Sequence, residues 1–436
     1  MNQYKAYPAY KDSDIQWIGK VPEHWKVAQI KRISTLNPKK SSLTIERDAL
    51  CTFLPMEKLR TNAVTLDETR TIEDVYDGYS YFCNRDILIA KVTPCFENRN
   101  IAVADGLVNG VGFGSTEINV IRTNEKGHNR FLYYRLQEEQ FRKIAISEMR
   151  GTGGLKRVPT EIFESFSIGF PDIEEQAAIA ATLDRETARI DALIQKKTRF
   201  IELLKEKREA LITHAVTKGL DPKVKMKDSG VEWIGQVPEH WKVVPSTWLF
   251  VESKERAHED DQHLSATQKY GVIPLAEYER LEGRQVTHAV KNLEQRKHVE
   301  LGDFVISMRS FQGGIERVKA CGCVRSSYVA IQAEDGADKD YFAYLFKSGS
   351  YIQGLQATSS FIRDGQDLNY GNFRQVKLPQ PEPDEQRRIA KFLDQETTRI
   401  DALAKKTEHS VTLLKERRAA FITAAVTGQI DLRGKQ

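Results

Sequence analysis

Cysteine is scarce in this sequence: five residues in 436, at Cys51, Cys83, Cys95, Cys321 and Cys323. The number is odd and the chain is long, so a disulfide framework is not expected. Cys321 and Cys323 lack a second Cys or His pair nearby in sequence, and all five read as ordinary reduced thiols, with no metal site expected. No apolar run approaches the roughly 18 to 20 residues of a membrane span, and the N-terminus carries no signal-like pattern. A cytoplasmic location without membrane contact is the expectation.

Catalytic signatures are missing too. There is no GxxxxGK[ST] phosphate loop, which removes support for ATP hydrolysis. "GVGFGS" at 110–115 precedes a strand-like run rather than a helix, so it reads as a turn and not as a dinucleotide loop. No Asn-Pro-Pro-aromatic or Asp-Pro-Pro-aromatic tetrapeptide of adenine-N6 methyltransferases is present, and "PDIEEQ" and "PEPDEQ" lack the acid-x-Lys of common nuclease cores. Charge of one sign is also lacking: the net value is +4, with +2 over residues 1–173 and −1 over residues 218–383. Nucleic-acid binding therefore has to be argued from placement, not from total charge.

What the sequence does have is duplication. "DSDIQWIGKVPEHWKV" from Asp12 returns as "DSGVEWIGQVPEHWKV" from Asp228, with twelve of sixteen positions identical at an offset of 216. Residues 174–217 return as 384–427, with 25 of 44 positions identical at an offset of 210. The plan is globule, helix, globule, helix: a first block over 1–173, a repeated helix over 174–217, a second block over 218–383, and the helix again with a tail over 384–436.

The repeated segment is rich in Ala, Leu, Glu, Lys and Arg, and neither Pro nor Gly interrupts 174–217. Asp172 or Asp384 is placed to cap each start, and Gly219 or Gly428 follows each end. Heptad spacing assigns a packing seam of Ile179, Leu183, Ile190, Leu193, Phe200, Leu204 and Leu211 in the first copy. The second copy gives Ile389, Leu393, Ile400, Leu403, Leu414 and Phe421, with Glu186, Lys197, Glu396 and Thr407 as polar interruptions. Unbroken, 44 residues span about 66 Å, too long for the inside of one block, so an antiparallel coiled coil between the two copies is expected.

The blocks read as mixed α/β (α+β). Strands are expected at 86–92, 115–122, 303–308 and 326–332, and a short helix at "RFLYYRLQEEQFRKIA" and at "DYFAYLFKSGSYIQGLQ". His24 and His240 of the duplicated phrase have no nucleophile or orienting group recurring beside both, so Trp17, Trp25, Trp233 and Trp241 are read as anchors with Pro22 and Pro238 setting the turn. "GTGGLKR" at 151–157 suits either a phosphate-contacting loop or a plain surface loop.

These motifs, "WIGxVPEHWK" opening each half, "FPDIEEQAAIAATLD" and "LPQPEPDEQRRIAKFLD" leading into each helix, and "LLKEKREALITHAVTKGLD" and "LLKERRAAFITAAVTGQID" closing them, resemble the specificity subunits of Type I restriction-modification systems. The resemblance implies two target-recognition domains reading the halves of a split double-stranded DNA sequence, with the helices as spacer. It implies no catalytic residue and no cofactor in this chain. S-adenosylmethionine, ATP and Mg would belong to partners: two modification (methyltransferase) subunits and, where present, restriction (translocase/nuclease) subunits. By residue type and loop placement, candidate DNA contacts are Lys91, Asn98, Arg99, Lys156 and Arg157 in the first block. In the second they are Arg309, Ser310, Gln312, Arg325, Arg363 and Gln366. The alternatives are a protein-only coiled-coil scaffold, or a stand-alone DNA methyltransferase or nuclease.

Overall fold

The computed structural model describes residues 4–283, 285, 295–307, 310–358 and 370–433. Two compact units emerge: residues 1–197 with 409–436, and residues 198–408. The division falls inside both long helices, Ile173–Lys218 and Pro383–Val426. Each unit therefore owns one globular block and a half of each helix.

In the first unit, Ile87–Ala90 and Ile118–Thr123 pair antiparallel at the centre of a four-stranded sheet flanked by Ile101–Val103 and Ser34–Leu36. These are the strands expected at 86–92 and 115–122. A second sheet runs Thr69–Thr71, Leu50–Leu54, Val111–Gly114, Ser80–Cys83. Val111–Gly114 is the "GVGFGS" stretch, so the expected turn is instead a buried strand, parallel to Leu50–Leu54 and antiparallel to Ser80–Cys83. Its glycines serve close packing: a Cβ on Gly112 would lie 2.3 Å from the Phe82 ring, and one on Gly114 would lie 2.7 Å from the Leu54 carbonyl.

In the second unit, Phe250–Ser253, Val329–Ala333, Phe304–Ile306 and Glu316–Arg317 form the corresponding antiparallel sheet, which contains the strands expected at 303–308 and 326–332. Aromatic edges fill the space beneath it, with Phe250 meeting Phe304, Phe342 and Phe346 at ring centroids 5.0–5.7 Å apart. The expected single short helices are each two: Asn129–Arg135 with Glu139–Ser147, and Lys339–Leu345 with Gly349–Ala357. Ser348 explains one break, because its side chain accepts the Tyr351 N–H as a helix cap.

Helix ends follow the capping chemistry in three cases of four. Asp172 accepts the Glu175 N–H at 2.9 Å, and Gly219 and Gly428 sit at φ +75° and +74° as the C-terminal stops. Asp384 does not cap. The second helix begins with Pro383, whose missing N–H and fixed φ suit the first helical position, and Asp384 falls within the first turn, paired with Arg387.

Within each unit the two helix halves run antiparallel. In the first, Asp191 meets Arg418 while Glu175 lies near Arg433; in the second, Arg208 meets Asp401 while Glu385 lies near Gly219. The inward positions are not all those of the expected seam. Leu183, Ile190, Lys197, Leu204 and Leu211 face inward, but their companions are Thr187, Ile194, Ile201, Arg208 and Ala215. In the second copy Leu393, Ile400, Thr407, Leu414 and Phe421 alternate with Thr397, Ala404, Val411, Arg418 and Ala425. Leu193 (42% exposed), Phe200 (42%) and Leu403 (43%) thus face outward. Two heptad registers share one of their two core positions, and the large side chains at 193, 200 and 403 drew the reading to the wrong one. Ile179 and Ile389 are buried in the core clusters where each block meets residues of both long helices.

Candidate nucleic-acid interface and its supporting frame

The frame that carries each block is built twice from the same atoms. Gln176 is fully buried; its amide donates to the Lys126 and Pro171 carbonyls, both at 2.9 Å, and accepts the His128 N–H at 2.9 Å. Gln386 repeats this with the Gly336 and Pro381 carbonyls at 2.8 and 2.9 Å and the Asp338 N–H at 2.8 Å. One buried amide thereby satisfies three backbone groups where the helix start, the preceding strand and a loop converge. The preceding carboxylates hold the duplicated phrase: Glu175 takes His24 Nε2 at 2.8 Å and the Trp25 Nε1–H at 3.1 Å, and Glu385 takes His240 Nε2 at 2.9 Å. Glu175 also accepts the Tyr7 hydroxyl at 2.7 Å.

Trp25 and Trp241 are fully buried, and the Pro22 and Pro238 carbonyls accept their N–H groups at 2.9 Å. Trp17 is partly exposed and stacks on Phe166, while Trp233 packs edge-on against Tyr351. The histidines thus tie a chain segment to a helix start. A third twin pair joins block to helix: Tyr134 and Tyr344 donate to Asp184 and Asp394, each at 2.6 Å.

On this frame the first block brings Lys91 beside the hairpin that carries Lys156 and Arg157, while Asn98 and Arg99 lie farther along the loop that follows Lys91. Thr93 N–H donates to the Lys156 carbonyl at 2.9 Å and Val158 N–H to the Lys91 carbonyl at 2.8 Å, which laces residues 91–93 to 156–158. The "GTGGLKR" loop is a hairpin tip closed by reciprocal Arg150 and Arg157 backbone bonds at 2.8 and 2.9 Å. Lys156 and Asn98 are exposed and face solvent. Arg157 makes a two-point ion pair with Glu117 at 2.7 and 2.9 Å, which holds the Glu117 carboxyl below its usual range. Arg99, at φ +61°, pairs with Glu139 at 3.1 Å. Two arginines of the five are therefore already oriented by carboxylates, and Lys156 is an exposed cation at the tip. Arg150, outside the quoted motif, is exposed beside it, and Leu155 is 58% exposed on the same tip.

In the second block Gln312 is exposed in the short helix Ser310–Gly313, and Arg325 is exposed just after the strand Gly322–Val324. Ser310 is buried, and its Oγ accepts the Ser307 N–H at 3.0 Å, so it braces the loop rather than facing outward. Arg309, Arg363 and Gln366 lie outside the described residues. Among the described residues no helix is long and apolar enough to cross a membrane.

Comparison with known proteins places this architecture. Residues 22–203 match the family described as Type I restriction modification DNA specificity domain. The Type I restriction enzyme EcoAI specificity subunit of Escherichia coli is 34% identical over 195 residues, 44% of this chain and 33% of that protein. The EcoEI specificity subunit of Escherichia coli is 30% identical over 209 residues, 48% of this chain and 35% of that protein. These matches span about a third of each curated relative. A putative MjaX specificity subunit from Methanocaldococcus jannaschii aligns over 95% of this chain and 96% of its own length at 21% identity. Among solved structures, a chain described under complex assembly and conformational transition of the type I R-M system superposes with TM-score 0.70 at 16% identity, covering 95% of this chain and 99% of that one. The HsdS subunit from Thermoanaerobacter tengcongensis does so with TM-score 0.55 at 16% identity, over 96% and 100%. Residues 22–203 thus carry a match to the Type I restriction modification DNA specificity domain, and the chain is similar in sequence and in fold to specificity subunits of Type I restriction-modification systems.

Proposed function

We propose that this chain is the non-catalytic subunit that reads a bipartite double-stranded DNA target, one half with each block, and carries adenine-methylating modification subunits to it. The observation that carries this reading is the contrast between frame and loops. Gln176 and Gln386, Glu175 and Glu385, and Tyr134 and Tyr344 make matched contacts, while the 91–99 and 151–157 loops have no sequence counterpart in the second block. A conserved mount with exchanged readers is what two different half-sites require. The long helices are the spacer in this reading, since half-sites must be met at fixed separation.

Two modification subunits would dock on the repeated helices. Each unit presents outward leucines from both: Leu193 and Leu413 in the first, Leu203 and Leu403 in the second. Pairs 193/403 and 203/413 are related by the duplication offset of 210, so equal surfaces call for equal partners. S-adenosylmethionine would be used on those partners, and ATP and Mg on restriction subunits recruited through them. The mass of the complex at saturating modification subunit tests the docking: two per chain supports it and one contradicts it. Exchange of residues 221–382 for the equivalent block of another family member tests the reading itself. One half of the methylated target should change and the other stay; a change in both halves or in neither contradicts it.

A further inference from the structure

Three segments far apart in sequence converge on His298 in the second block. They are the loop carrying Glu255, His258 and Asp261, the strand Lys297–Val299 with Glu300 after it, and Cys321 just before the strand Gly322–Val324. His298 is buried, and both of its ring nitrogens are engaged. Nδ1 lies 2.9 Å from an Asp261 carboxylate oxygen; Nε2 lies 3.2 Å from Glu300 Oε1 and 4.0 Å from Cys321 Sγ. Donor atoms of Asp261, His298 and Cys321 all fall within 4.8 Å of one another. The His258 ring stacks on His298 with centroids 4.2 Å apart, and its Nε2 reaches Glu255 at 3.1 Å.

We propose that this cluster is a Zn²⁺ site in which His298 Nε2, Cys321 Sγ and Glu300 are ligands and Asp261 orients the imidazole. A carboxylate on one ring nitrogen with the other nitrogen aimed at a sulfur and a second carboxylate is the arrangement that fixes a metal-binding tautomer. Zinc–nitrogen and zinc–sulfur bonds of about 2.0 and 2.3 Å at a tetrahedral angle put the two donors about 3.5 Å apart, so a movement of about half an ångström closes the site. The donor set of one sulfur, one imidazole and one carboxylate suits zinc; magnesium and calcium favour all-oxygen sites. Cys321 is exposed, which gives the ion a path in and leaves the fourth position to water. On binding, the Cys321 thiol loses its proton to solvent and the thiolate takes the metal, with no change of oxidation state.

The site would tie the 255–261 loop to both strands of the Lys297–Val299 and Gly322–Val324 pair, and it stands apart from how DNA is read. Sequence spacing could not reveal it: Asp261, His298 and Cys321 are separated by 37 and 23 residues, and the missing partners of the cysteine arrive only by folding.

The full chain, stripped with EDTA and titrated with Co²⁺, tests the assignment. One equivalent should produce a thiolate-to-cobalt charge-transfer band that Zn²⁺ displaces. Cys321→Ser, at an exposed position, should abolish the band while circular dichroism stays that of the parent. Asp261→Asn should keep the band but weaken affinity roughly 10- to 100-fold. Absence of a thiolate band at one equivalent, or its persistence at full strength in Cys321→Ser, overturns the site. Unchanged affinity in Asp261→Asn overturns the role of Asp261.

Discussion

Arg208 Nε lies 2.9 Å from Asp401 Oδ1, and their counterparts 210 positions away, Arg418 and Asp191, also meet at 2.9 Å. The duplication is therefore expressed atom by atom, with the partners exchanged between helices: the arginine comes from the first helix in one unit and from the second in the other. The two pairs are not equal in environment, since the Arg418 side chain is 13% exposed and that of Arg208 is 36%. A double-mutant cycle to alanine should give a coupling of about 0.5 kcal/mol for Arg208–Asp401. The Arg418–Asp191 value should be larger, because its arginine is better shielded from solvent; urea unfolding at low and high salt measures both.

The buried glutamines should matter more than the ion pairs. Gln176→Ala or Gln386→Ala leaves one N–H and two carbonyls without their partner in a buried junction. Each substitution should lower stability by about 3 kcal/mol, read from the shift in denaturation midpoint, with the affected unit losing hydrogen-exchange protection first.

Acid should loosen the first unit through His128. Burial, helped by the Arg85 charge, lowers its pKa below the ordinary 6.5. A group whose folded pKa is depressed binds its proton more readily when unfolded, so its contribution is present above about pH 6.5 and is lost as pH falls through the lowered folded value. His128→Asn should flatten the pH dependence of stability between pH 7.5 and 5, measured as the difference from the parent chain; an unchanged slope would contradict the assignment.

If the exposed 151–157 tip meets the phosphate backbone as proposed, Lys156→Ala should weaken binding by a similar factor for cognate and non-cognate duplexes, and it should reduce the slope of log affinity against log salt by about 1. Asn98→Ala should instead relax preference at one position of one half-site, without changing that slope. Band-shift titrations with the modification complex across salt concentrations separate the two behaviours.

Much of this is legible in the sequence. The duplicated phrase and helix gave the doubled plan, and Trp25 and Trp241 are the buried anchors that their recurrence suggested. Periodicity could not choose between two heptad registers that share Leu183, Ile190, Leu204 and Leu211, so Thr187, Ile194 and Ile201 were passed over for Glu186, Leu193 and Phe200. The role of Gln176 and Gln386 had a signal, recurrence of "EQ" at each helix start, but only the fold reveals which backbone groups they satisfy. "GVGFGS" misled because glycine marks close approach as well as turns. Ser310 misled because residue type alone does not tell an exposed hydroxyl from one that braces its own loop.

The central claim, that this chain chooses where modification falls and reads two half-sites, is tested most directly by mapping methylated adenines in cells with and without it. Removal of the chain should erase methylation at one split motif, two short specified sequences separated by a fixed unspecified gap. An unchanged methylation map, or loss of a single uninterrupted motif, would contradict the account.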